Sequence, residues 1–170
     1  MNIHPMIVHF PIALLFIWSV LEIFHIQRWI KSVDWKSTKA VLLTIGTIGA
    51  FFAKETGETA RDQITTIMPT LSWHETFAKV SFALYFLFLV EVALTIVISQ
   101  SKTRKMHFPA WFMKIMHIYQ GSISFAPIRI PLVVMALMAL TITGVLGGVL
   151  VYGTSADPIA PLVLRFLGIR

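Results

Sequence analysis

The sequence predicts an all-α membrane protein, a bundle of four transmembrane helices. Two observations lead to this fold class. Hydrophobic residues make up 56% of the 170 residues and charged residues only 13%, whereas soluble domains carry about 45–50% and about 25%. Four apolar stretches are each long enough to cross the hydrocarbon core, which needs about 20 helical residues. The 13 Phe and 5 Trp residues exclude a disordered chain.

The four predicted spans cover residues 6–26, 39–57, 77–98 and 130–152, and we treat residues 1–170 as one membrane domain. The first span has no basic region before it and no small-residue cleavage site after it. We therefore expect it to remain in the mature protein rather than to be removed as a signal peptide.

The distribution of Lys and Arg predicts the orientation. Loop 27–39 and segment 99–129 carry nine of these residues, and the opposite side carries five. Because basic loops stay in the cytoplasm, both termini are predicted to be extracytoplasmic, in a bacterial inner membrane. The basic residues lie between apolar runs instead of forming one soluble face, so no nucleic-acid partner is expected.

Two segments outside the spans also have an apolar character. Residues 110–120 follow Pro109 and mix aromatic with basic side chains, which is typical of a helix lying in the headgroup plane. The C-terminal tail, residues 158–170, has a similar composition. The partners expected for such a chain are the lipid bilayer and other membrane subunits or a periplasmic electron carrier.

Ionisable residues collect at the predicted extracytoplasmic end of the bundle. With no Cys in the chain, histidines and carboxylates are the strong metal ligands that remain. His9 lies inside an apolar run at the depth of His74, and small residues on spans 2 and 4 would let a flat cofactor approach. These features predict haem b between His9 and His74, with His4 as a substitute ligand. The alternative is a divalent metal bound by His4, His9, His74 and a carboxylate from Glu55 or Glu58.

Three further residues are candidates for function. Glu91 is an acid deep in the third span, at the depth of Ser19, Thr44 and Thr141, so we expect it to transfer protons or contact a quinone. His25 and His117 lie toward the other membrane face and are candidates for a second haem.

Several motifs resemble those of the uncharacterised bacterial membrane family called domain-of-unknown-function family 2231. They are the N-terminal sequence IHPMIVHFPIALL at residues 3–15, TGETA at 56–60, His74, and GGVLVY at 147–152. The resemblance covers the whole chain, except that Gly153–Asp157 replaces the family's short His-Gly-Val-like tail. It implies a four-helix membrane protein, sometimes joined to cytochrome c or Rieske modules, and distantly similar to two-haem b cytochromes.

Together these features predict a membrane protein that transfers electrons between a quinone and a periplasmic carrier through haem b. A non-haem metal protein is one alternative. Another is a cofactor-free structural or assembly subunit of a larger respiratory or photosynthetic complex. A transporter is disfavoured, because the sequence shows no evident internal repeat and no paired broken helices.

Overall fold

The computed structural model describes residues 4–25, 30–61, 69–104, 108–155 and 157–169. Regular secondary structure within these ranges is entirely helical. The helices are α1 (His4–Phe24), α2 (Trp35–Arg61), α3 (Pro69–Arg104), α4 (Ala110–Ser124), α5 (Ala126–Tyr152) and α6 (Ala160–Phe166). The all-α prediction is confirmed.

Helices α1 and α2 form an antiparallel pair, which we call the first hairpin. Their contacts run in opposite directions along the chain: His4 meets Gly57, Pro11 meets Gly49, Leu15 meets Gly46 and Glu22 meets Lys39. A Cβ atom added to Gly46 would lie only 2.7 Å from Leu15 Cδ2. The glycines of α2 therefore serve close helix packing along the whole length of α1.

Helices α3 and α5 form a second antiparallel pair, which we call the second hairpin. His74 meets Gly147 at one end and Glu91 meets Arg129 at the other. The Ser19 and Tyr85 hydroxyls lie 2.8 Å apart and join α1 to α3, which run parallel. Large side chains from all four helices fill the core between the hairpins, namely Leu15, Trp18, Leu43, Tyr85, Phe88, Val133 and Leu146.

Within the described residues, three helices are long and apolar enough to cross a membrane: Met6–Phe24 of α1, Pro69–Gln100 of α3 and Ala126–Tyr152 of α5. Helix α2 does not reach that apolarity, because its uncharged stretch, residues 40–53, lies between Lys39 and Lys54. The predicted second span therefore corresponds to a long helix of mixed polarity.

The helix bounds differ from the predicted spans. The first helix ends at Phe24, because His25 has a left-handed backbone with φ of 50°; Ile26, the predicted end, lies outside the described residues. Helix α3 extends well beyond residues 77–98, to 36 residues. Backbone hydrogen bonds continue a helix into its polar ends, whereas hydropathy marks only its apolar middle.

Helix α4 contains the predicted segment 110–120 and packs against α3 and α5. Met116 and Ile123 are buried there, and the Tyr119 hydroxyl donates a 2.6 Å hydrogen bond to the Leu87 carbonyl. Trp111 and Ile115 lie on the exposed side. The tail contains the short helix α6, whose Ala160 and Leu164 are buried.

Candidate functional site

The His4 ring lies across Gly57 at the start of α1. Its Nδ1 atom lies 3.0 Å from the Thr56 hydroxyl oxygen. The Thr56 hydroxyl has the carbonyl oxygens of Phe52 and Ala53 within 3.0 Å as acceptors for its own proton. The His4 Nδ1 atom and the Thr56 hydroxyl thus share one hydrogen bond, whose donor depends on the tautomer of the ring.

The His74 ring is arranged in the same way on the second hairpin. Its Nδ1 lies 2.9 Å from the Thr143 carbonyl oxygen, which can only accept, so Nδ1–H is the donor. Its Cε1 would lie 3.2 Å from a Cβ atom added to Gly147. A backbone carbonyl that fixes the tautomer in this way is typical of a metal-ligating histidine, since it directs Nε2 toward the metal.

The two imidazoles lie at the same end of the bundle, His4 against Gly57 and His74 against Gly147. We call them the histidine pair. Burial lowers the pKa of His4 below its ordinary value of 6.5, and a hydrogen bond to the Ala53 backbone opposes that shift. The chain thus favours a neutral His4 ring, the form that can ligate a metal.

His9, the other predicted ligand on α1, is exposed. His9 comes five positions after His4 along α1. At about 100° per residue, this offset turns His9 about 140° around the helix from the face that contacts α2. The structure therefore turns His4 toward α2 and leaves His9 exposed, and a ligand role for His9 stays a prediction.

The predicted divalent-metal set of His4, His9, Glu55, Glu58 and His74 does not assemble. Across the described ranges, no group of three or more His, Asp or Glu side chains converges on one point. Glu55 and Glu58 are exposed and bind Lys54 Nζ at 3.3 and 2.8 Å. The hydrogen bond from Lys54 lowers the pKa of Glu58. Lys54 thus forms ion pairs with the two carboxylates that a metal ion would need as ligands.

The opposite end of the bundle contains a charge cluster that consists of the buried Glu22 and the half-buried Lys39, Glu91 and Arg129. Glu22 binds Lys39 at 3.0 Å and Arg129 at 3.1 Å, and Arg129 also binds Glu91 at 3.0 Å. Arg129 lies 5.3 Å from the centre of the Phe88 ring. Sequence reasoning missed Glu22, although an acid within the apolar first span was itself a signal that a cation lies beside it.

A family model described as a predicted membrane protein, DUF2231, matches residues 1–157. The chain belongs to the DUF2231 family. The match includes both hairpins and ends before α6. Neither the curated proteins nor the solved structures that were compared with the chain gave a match. With its apolar helices, this DUF2231 protein is a multi-pass membrane protein in contact with the lipid bilayer.

Glu91 of the DUF2231 protein has different partners from those expected. Its carboxylate binds Arg129 and accepts a 3.0 Å hydrogen bond from Ser124. Ser19 instead bonds Tyr85, and Thr141 is exposed and donates to its own helix at Leu137. Glu91 instead lies at the level of Arg129, near the start of α5. A role for Glu91 in proton transfer or quinone contact stays a prediction.

The two residues predicted for a second haem each bond their own helix. His25 Nδ1 lies 3.0 Å from the Ile23 carbonyl oxygen, and His117 Nδ1 lies 2.7 Å from that of Met113. His117 is exposed on α4. Of the predicted histidines in this DUF2231 protein, His4 and His74 therefore have the environment best suited to a shared ligand.

Proposed function

We propose that this DUF2231 protein binds haem b between His4 and His74 and transfers electrons between a quinone and a periplasmic carrier. The observation that carries the proposal is the histidine pair. Two imidazoles from different hairpins lie at one end of the bundle, and the Nδ1 atom of each is hydrogen-bonded to the protein. Two axial imidazoles complete the coordination of haem iron, whereas a zinc site needs three or more protein ligands.

The glycines of α5 support a flat ligand beside His74. A Cβ atom added to Gly144 or Gly148 would meet no atom within 4 Å, so the backbone is open on that side. Gly147, between them, lies under the His74 ring. A macrocycle can approach a helix closely where side chains are missing. When bound, the haem would supply one-electron redox chemistry, which its axial ligands and surroundings tune.

Four transmembrane spans are part of this proposal. Helix α2 contacts α1 from Gly57 at one end to Lys39 at the other, so the two helices occupy the same depth. It also exposes a stripe of large apolar side chains away from α1, consisting of Val41, Ile45, Ile48 and Phe52. Such a stripe suits contact with acyl chains, and it would be an unusually large apolar patch in water.

Orientation is also part of the proposal. Lys39 and Arg129, two of the nine basic residues counted for the cytoplasmic side, are internal to the charge cluster. Seven others remain there against five on the opposite side, so the positive-inside rule still favours the same orientation. The histidine pair would then lie toward the extracytoplasmic face of a bacterial inner membrane, within reach of a periplasmic carrier. Helix α4 would lie at the cytoplasmic interface, with Trp111 and Ile115 in the headgroup region.

Absorption spectroscopy tests the function. The detergent-purified protein, supplied with hemin if it is isolated without haem, should show a dithionite-reduced spectrum typical of two imidazole ligands. His74→Ala should abolish that spectrum, because it removes one axial nitrogen. His117→Ala is the matched control, since this exposed ring bonds only its own helix. A folded wild-type protein that takes up no hemin would overturn the proposal and favour the cofactor-free subunit.

A further inference from the structure

The surroundings of His4 and His74 correspond position by position. His4 bonds the Ala53 backbone and lies on Gly57, and His74 bonds the Thr143 carbonyl and lies on Gly147. In both hairpins the glycine follows the bonded carbonyl by four residues. His74 comes 70 positions after His4, and both Thr143 and Gly147 come 90 positions after their counterparts.

The same shifts relate the other end of the bundle. Arg129 comes 90 positions after its counterpart Lys39, and Glu91 comes 69 positions after its counterpart Glu22. Each hairpin pairs its own acid with its own base, at 3.0 Å in both cases. Buried core residues are related by the same offsets. Tyr85 and Phe88 come 70 positions after Leu15 and Trp18, and Val133 comes 90 positions after Leu43.

One insertion explains the change from 70 to 90 positions. The 15-residue helix α4 lies between α3 and α5, whereas the described residues between α1 and α2, 25 and 30–34, contain no helix. An insertion of 20 residues that includes α4 accounts for the difference between the two shifts.

Corresponding residues also meet one another across the bundle. The ring centres of Trp18 and Phe88 lie 5.1 Å apart, and the counterparts Leu15 and Tyr85 belong to the same buried core cluster. Contacts between equivalent residues occur where a symmetry axis passes between them. Because α1 and α3 are parallel, this axis runs along the bundle.

We propose that the bundle is an internal repeat of two equivalent hairpins, and that His4 and His74 are paired half-sites that ligate one group on the pseudo-twofold axis. The equivalence comes from the helix contacts alone, and only the identity of the ligand, haem, rests on the proposed function. Both imidazoles then contribute equally, one from each side, and neither hairpin has a complete site by itself.

Hemin binding by the full-length protein tests the joint action of the half-sites. His4→Ala and His74→Ala should each convert bound hemin from a six-coordinate low-spin to a five-coordinate high-spin spectrum, to the same extent. His9→Ala should keep the low-spin spectrum of the wild type. Retention of the low-spin spectrum by either His4→Ala or His74→Ala would overturn the proposal.

Nitrogen-15 NMR of the imidazoles in the metal-free protein provides a readout that does not depend on haem. Both His4 and His74 should be Nδ1–H tautomers. Gly57→Ala should shift the His4 signals alone and Gly147→Ala the His74 signals alone, because each added Cβ touches one ring. If hemin does not bind but these results hold, the haem function fails and the equivalence stands. Different tautomers in the two rings would refute the equivalence.

Discussion

An imidazole whose Nδ1–H is bound by the protein can act only through Nε2. His74 is constrained in this way by the Thr143 carbonyl, and a hydrogen bond to the Thr56 hydroxyl orients the His4 ring. Such constraints remove the choice of tautomer before any ligand arrives, which lowers the cost of ordering the site on binding. At this scale the chain provides two oriented nitrogen acceptors, one from each hairpin.

Acid should destabilise the metal-free protein through His4. Its pKa in the fold lies below the 6.5 of the free side chain, so the unfolded chain takes up a proton more readily. The contribution of the neutral ring is therefore complete above pH 6.5 and is lost as the pH falls toward the lower pKa of the fold. Melting temperatures in detergent between about pH 5 and 7.5 should fall less steeply for His4→Gln than for the wild type. The control His117→Gln should keep the wild-type slope; equal slopes for wild type and His4→Gln would contradict the prediction.

Within the charge cluster, Glu22 should matter more for stability than Glu91. Glu22 binds two cations, Lys39 and Arg129, so its loss removes a partner from both. Glu91 binds Arg129 alone among these cations, and Arg129 keeps Glu22 as a partner when Glu91 is lost. Removing one partner of a buried ion pair costs about 3–5 kcal/mol, and we expect this for Glu22→Gln. For Glu91→Gln we expect a loss of about 1–3 kcal/mol, since its amide can still accept from Ser124. Denaturant unfolding of both variants measures the order, and a larger loss for Glu91→Gln would refute it.

At the scale of elements, the α1–α2 contact depends on the missing side chain of Gly46. A methyl group there would lie 2.7 Å from Leu15 Cδ2, and Leu15 is buried and cannot move aside. Gly46→Ala should therefore destabilise the protein by about 1–3 kcal/mol. Gly121→Ala on α4 is the matched control, because nothing lies within 4 Å of its added Cβ. That control should be neutral or stabilising by up to about 1 kcal/mol. Equal unfolding free energies for the two variants would show that the close contact has no cost.

Hydropathy predicted the positions of the four long helices, and it could not predict their ends. Residues 69–76 of α3 are too polar to belong to an apolar run, yet their backbone continues the helix and brings His74 opposite Gly147. The choice between His4 and His9 was also beyond the sequence. Both lie at the same end of α1, and only the packing of α2 decides which face turns inward. The repeat was not visible in the sequence, because counterparts such as Leu15 and Tyr85 are both buried but have different side chains.

At the scale of the whole molecule, the histidine pair and the charge cluster lie at opposite ends of the bundle. The orientation proposed above places the charge cluster on the cytoplasmic side. Single cysteines can test this, because the chain has none of its own. Membrane-impermeant thiol reagents added to intact cells should label Thr154→Cys and should not label Ser37→Cys or Lys102→Cys. The reverse pattern would invert the orientation and move the histidine pair to the cytoplasmic face.

The pairing of charges within each hairpin has a consequence for insertion into the membrane. Glu22 finds Lys39 in the first hairpin, and Glu91 finds Arg129 in the second, before the two hairpins meet. Each hairpin can thus leave the translocation machinery with its own counter-ion, without an uncompensated charge in lipid. We expect Lys39→Ala to impair integration of the first hairpin in a nascent chain that stops before α3. Full integration of that variant would show that Glu22 needs no local partner at this stage.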